Sequence, residues 1–199
     1  APVNSLTGSG TITGSGSVRV VGNIGSAVTV APVNVLAGSG RIEGNGTIFV
    51  SGDIGGGVIA PVNSLIGVGS ISGNATMTVS GNVNGNITIA PVNTLAGVGE
   101  IDGNGTITVL GDVAGAATLA SVNTLSGVGD IRGSSRMTIL GDVGASALIA
   151  QTNGLTGTGN IVGNATMAIS GDIVGSATVA NTNALGATGV GNITGNATM

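Results

Sequence analysis

The chain has 199 residues, 40 of them glycine, with 41% hydrophobic and only 6% charged side chains, one aromatic residue (Phe49), and no Cys, His or Lys. Those absences exclude a Ser-His-Asp triad, a thiol nucleophile, a Schiff-base or P-loop lysine, a thiolate or imidazole zinc site and any disulfide framework. A net charge of −4 with four scattered arginines leaves no basic patch to track a phosphate backbone, so nucleic acid is not an expected partner.

From its first residue the chain is filled by one unit of about thirty residues. APVN at Ala1 returns at Ala31, Ala60 and Ala90, then becomes ASVN at Ala120, AQTN at Ala150 and ANTN at Ala180. The copies run 1–30, 31–59, 60–89, 90–119, 120–149 and 150–179, with a partial copy 180–199, so the expected organisation is a single repeat array over 1–199. Fold and function are then properties of the repeat.

Each copy begins with APVNxL, expected to be the longer connector of the unit. Its asparagine recurs as Asn4, Asn34, Asn63, Asn93, Asn123, Asn153 and Asn183, with a leucine two residues later (Leu6, Leu36, Leu65, Leu95, Leu125, Leu155, Leu185). A G-x-G-x-I pattern follows, as in Gly8, Gly10 and Ile12. Counted from the APVN alanine, large apolar residues then fall on even places. In the fourth copy these are Leu95, Ile101, Ile107, Val109, Val113 and Leu119, while odd places carry Thr94, Glu100, Asp102, Thr106 and Thr108. A period of two held over a whole repeat predicts extended chain with one face inward. Two half-motifs sit inside each copy: GEIDGNGTI at Gly99 aligns with GDVAGAATL at Gly111, as two strand–turn–strand pieces. The pairs Gly44-Asn45, Gly73-Asn74, Gly103-Asn104 and Gly133-Ser134, and the pairs Gly22-Asn23, Gly52-Asp53 and Gly111-Asp112, read as turns.

The expected fold is all-β, a β-solenoid of thirty-residue repeats. One aromatic residue and few large side chains cannot fill an ordinary sandwich, whereas a thin stacked coil can use them and Gly admits close backbone approach at corners. Collagen fails for want of a three-residue glycine period, disorder fails on hydrophobicity, and Gly and Asn interrupt every apolar run before it could span a membrane as a helix. Successive coils should lie ~4.8 Å apart with identical places in ladders. The 29-residue second copy and the two extra residues near Gly186-Ala187 are expected to be absorbed at turns.

The L-x-G-x-G-x-I-x-G-N run at Leu95 to Asn104, with T-I-x-V and G-D-I elements after it, resembles the repeat regions of bacterial β-solenoid surface proteins: autotransporter passengers and filamentous-hemagglutinin-like adhesins. The likeness covers the whole chain and implies an exported structural or adhesive stalk, extracellular or at the cell surface. The 199 residues read as repeat throughout, so the expected likeness is to the repeat regions of those proteins and not to their secretion signal, membrane barrel or cap.

The expected function is accordingly a structural segment of a fibre or adhesin that self-assembles by coil stacking, copies meeting end to end. The alternative is a binding module that uses a flat solenoid face for carbohydrate, ice or another surface. No enzyme and no cofactor are expected. Glu100 with Asp102, or Asp102 with Asp130, offers an acid/base pair only formally, since these places hold Thr11, Ser70 or Asn160 in other copies. The asparagine column from Asn4 to Asn183 falls on inward places, so it should form an internal amide ladder. The acidic column Asp112, Asp142 and Asp172 continues Asn23, Asp53 and Asn82. It reads as turn capping, with weak divalent-cation binding between coils as the sharper option. Asn-x-Thr sequons at Asn45, Asn74, Asn86, Asn104, Asn164, Asn192 and Asn196 follow from a turn Asn preceding a strand Thr, and surface glycans are a further possible partner class.

Overall fold

The computed structural model describes residues 2–187 and 189–199; Ala1, which opens the first copy, lies outside the described residues. Every strand pairs in parallel with the strand one repeat away, setting Asn4 beside Asn34, Leu95 beside Leu125 and Ile131 beside Ile161. Each copy is therefore one coil, and the chain is a β-solenoid of about six turns. Among the described residues no helix is long and apolar enough to cross a membrane.

Inward and outward places alternate as the period of two requires. Leu95, Ile101, Ile107, Val109, Val113 and Leu119 are all 0% exposed, while Thr94 and Glu100 are exposed and Thr106 and Thr108 half-buried. A lone coil could not shield these side chains above and below. Burial of each is completed by its counterparts in neighbouring coils, at ~1.5–3 kcal/mol per large side chain.

The coil is flat, with two straight runs laid against each other. The strand Val92–Asp102 doubles back at Gly97 and Gly99, whose φ angles are 141° and 155°. A Cβ at Gly99 would also strike the Gly69 carbonyl of the coil below, so this column admits glycine for two reasons. Reversal at the arch brings the leucine column onto the isoleucine column, and the two form a core cluster of their own. Beyond it the runs stay in register across the interior. Ser121 Oγ, for example, lies 3.1 Å from Ser135 Oγ on the opposite run, where other copies oppose Pro to Gly or Ala. A second cluster, including Ile107, Val109, Val113 and Leu119, fills the space between the runs out to a blunt tip. That tip turns in two bends about a single inward residue, the column Ile54, Val83, Val113, Val143, Ile173.

Two local expectations change. APVN is not a connector: places on either side of it alternate without interruption, and in the sixth copy the same stretch lies inside one strand, Ala147–Thr158. Proline there points inward and is buried (Pro32, Pro61, Pro91), filling the core while its carbonyl still accepts from the next coil, as Pro32 O does from Val62 N at 2.9 Å. The pairs from Gly44-Asn45 to Gly133-Ser134 are not turns either, since burial alternates straight through them. Their glycines are small because the asparagine amide of the opposite run occupies that space; a Cβ at Gly103 would meet Asn123 Oδ1. The sharp reversal lies instead at G-x-G. Gly22-Asn23, Gly52-Asp53 and Gly111-Asp112 do lie in bends.

Both length irregularities fall at reversals. Pairing slips by one residue between Ile24 and Ala27 at the blunt tip, and Gly189 N donates to Gly186 O at 2.7 Å in a tight turn at the arch of the last copy. After that turn Ile193 pairs with Ile161 in restored register.

Candidate functional site

Three polar ladders run along the solenoid. The innermost is built from the APVN asparagines. The side-chain Nδ2 of Asn4 donates to Asn34 Oδ1 at 2.9 Å, Asn34 to Asn63 at 2.8 Å, Asn63 to Asn93 and Asn93 to Asn123 at 2.8 Å, Asn123 to Asn153 at 2.9 Å and Asn153 to Asn183 at 2.7 Å. The second Nδ2 proton crosses to the opposite run, from Asn93 to Gly73 O and from Asn123 to Gly103 O, each at 3.1 Å. Asn34, Asn63, Asn93, Asn123 and Asn153 are 0% exposed. From Asn34 to Asn123 each buried amide thus has its oxygen and both protons engaged, which is what makes an amide tolerable in an apolar interior, while at Asn153 the facing Gly133 carbonyl accepts from Gln151 Nε2 instead. Every amide-to-amide bond is donated toward the C-terminal end, giving the ladder a direction.

The second ladder lies at the blunt tip. Asp53 N donates to Asn23 Oδ1 at 2.9 Å, Asn82 N to Asp53 at 2.8 Å, Asp112 N to Asn82 at 2.9 Å, Asp142 N to Asp112 at 2.9 Å and Asp172 N to Asp142 at 2.8 Å. From Asn23 to Asp142 one side-chain oxygen, amide or carboxylate alike, accepts the backbone N–H of the coil above. Among the described residues no group of three or more acidic side chains converges as a metal site would require.

A third ladder was not anticipated. Asn45, Asn74 and Asn104, on the outward side of the straight run after the arch, each accept the backbone N–H one coil on, at 2.9, 3.1 and 2.9 Å. Recurrence of Ser15, Asn45, Asn74, Asn104, Ser134 and Asn164 was the available signal, masked by its reading as a turn. These asparagines are sequon residues, and their oxygens serve the ladder.

The formal acid pair lies on this same polar run. Glu100 Oε2 is 3.2 Å and Asp102 Oδ1 3.8 Å from Arg132 Nη1, with about half of each side chain exposed. Asp130 Oδ1 accepts from Asn160 N at 2.8 Å and Asn160 Nδ2 at 3.1 Å. The Arg132 pKa is raised by its hydrogen bond to Glu100 and then by the charges of Glu100 and Asp102. Glu100 and Asp102 share one guanidinium in open solvent, an arrangement for surface charge pairing. A general acid instead needs a shielded carboxyl held protonated. Nearby, Arg41 pairs with Glu43 at 3.0 Å and Arg19 lies 4.8 Å from the Phe49 ring centre.

No family model, no curated protein and no solved structure matches the chain.

Proposed function

We propose that this chain is a structural repeat segment of an extracellular or cell-surface fibre or adhesin, of the kind its repeat resembles, which extends by stacking coil on coil. The observation supporting this reading is the equivalence of the coils. The same parallel register and the same directional asparagine ladder recur at every step, so a copy offers at its first coil the surface that each coil already accepts from the next. Asn4 donates to Asn34 and accepts from no side chain among the described residues. Coil one also presents the N–H groups of odd places, which in later coils donate downward, as Val62 N does to Pro32 O. Such rows are templates for another strand.

Ser5 lies in this row, so Ser5→Pro removes a donor that only an incoming copy would use. Electron microscopy of the purified protein should show rods longer than the ~30 Å of six coils at ~4.8 Å each, and Ser5→Pro should shorten them. Rods of single-chain length at every concentration would refute axial stacking. The alternative, a binding face for carbohydrate, ice or another surface, draws on the Thr76/Thr78 and Thr106/Thr108 pairs, which stand outward in adjacent coils on the polar run. Thr106→Lys abolishing retention on a glycan or ice surface would favour it.

A further inference from the structure

The twelve charged residues are confined to two parts of the flat coil. They occupy either the run after the arch (Arg19, Arg41, Glu43, Glu100, Asp102, Asp130, Arg132, Arg136) or the blunt tip (Asp53, Asp112, Asp142, Asp172). The other straight run, from just after the tip through APVN to the arch, carries none. Its outward columns are Ala, Val, Thr and Ser with a few larger residues, among them Val35 and Val62 at 36% exposed and Ile66 at 59%. Because alternation passes unbroken through this run, the columns share one plane. Nine residues from Leu148 to Thr156 span ~26 Å, and six rows at ~4.8 Å span ~29 Å, giving roughly 700 Å² on one copy. Its apolar part is the central pair of Ala and Val columns, with Thr and Ser holding many of the outer places such as Thr88, Thr94, Thr118 and Thr124.

We propose that this uncharged face is a dimer interface, occupied by the same face of a second copy whose axis runs parallel to the first. Two such faces bury roughly 1,400 Å² in all, inside the range of specific, stable interfaces. The surface is also self-complementary in size. Its two central columns are a groove of half-buried alanines (Ala60, Ala90, Ala120) and, beside it, a ridge of valines (Val62, Val92, Val122). A two-fold axis along the solenoid, between these columns, seats each ridge in the partner's groove. The same operation places Leu148 over Gly154 of the second copy, the bulkiest outward side chain of that row over the position with none. Parallel, in-register sheets meeting through interdigitated small apolar side chains are the arrangement of a dry zipper. The charge-bearing run is left in solvent on both outer surfaces, which caps the assembly at two layers. This interface is lateral and stands whether or not coils also stack end to end.

In the Ser5→Pro chain, where end-to-end stacking is blocked, light scattering should give twice the chain mass at micromolar concentration. Val92→Lys or Val122→Lys should reduce it to a monomer with unchanged circular dichroism, while Thr106→Lys on the opposite run should leave the dimer intact. Since the chain has no cysteine, pairing can be read directly. A Thr88→Cys chain mixed with a Thr94→Cys chain should form a disulfide, and neither should do so alone, because like positions would stand ~20 Å apart along the strands. The mixed disulfide also decides the matter should the lysine variants unfold. A wild-type monomer up to millimolar concentration overturns the proposal, as does a dimer indifferent to Val92→Lys or crosslinking of like with like. A monomer that adheres to ice or cellulose and loses adhesion with Val92→Lys also overturns it and gives the face to a solid surface.

Discussion

Asn93 sits at the middle of the internal ladder, and its removal tests how much of the fold that ladder holds. Its Oδ1 accepts from Asn63 at 2.8 Å, and its Nδ2 donates to Asn123 at 2.8 Å and to Gly73 O at 3.1 Å. Asn93→Ala deletes three hydrogen bonds and strands the Nδ2 of Asn63 and the Oδ1 of Asn123 in a region that is 0% exposed. With an orphaned buried polar group costing ~1–3 kcal/mol, the loss should be about 3–5 kcal/mol. For a chain of this length that is a fall of roughly 10 °C in Tm. Thr106→Ala, which removes a half-exposed hydroxyl on the outer surface, is the control. Asn93→Asp adds a signed test. A carboxylate there accepts from Asn63 but confronts two acceptors, Asn123 Oδ1 and Gly73 O, so burial raises its folded pKa above the unfolded ~3.9. Between those two values the folded state binds more protons than the unfolded, and stability must fall as pH rises through that interval. Asn93→Asp should therefore be nearest wild type at about pH 4 and weaken toward pH 7. Thermal and urea unfolding at both pH values check this. An Asn93→Ala midpoint no lower than that of Thr106→Ala would refute the ladder's energetic role.

The arch should tolerate only glycine at its stacked places. Gly99→Ala, with φ of 155° and the Gly69 carbonyl in the path of a Cβ, should unfold at markedly lower urea than Ala96→Gly, a change made outside the arch. At the tip, Asp142→Asn should leave the Tm almost unchanged because the amide oxygen can accept from Asp172 N as the carboxylate does, while Asp142→Ala should cost roughly 1 kcal/mol. A calcium-dependent rise in Tm that disappears in Asp142→Asn would instead assign the Asp112, Asp142 and Asp172 column to a cation. In the fifth copy Ser121→Ala should be rescued in part by Ser135→Ala, since each leaves the other's buried hydroxyl without its partner; a double-mutant cycle with no coupling would contradict the 3.1 Å contact.

What the sequence by itself determined is the coil: a period of two, carried by Leu95, Ile101, Ile107 and Val109, fixes which side chains turn inward, and a thirty-residue repeat of that period fixes which ones stack. Both are local or translational properties, so one chain read in order contains them. The inward phase of Asn93 likewise required a hydrogen-bonded column, because an amide cannot stand alone in such a core. What only the tertiary structure decided is where the coil bends. Gly97, Gly99, Gly103 and Gly111 are the same letter with three different causes: a positive φ at the arch, room for an amide on the facing run at Gly103, and a bend at Gly111. The cause depends on what lies across the interior, ten or twenty residues away in sequence. Proline in APVN misled for the same reason, since its ring fills the core of a straight run whose other wall is not adjacent in the chain. The absence of charge from one face followed from those bends, because a residue's face is defined only once the chain has been folded back at Gly97 and Gly99.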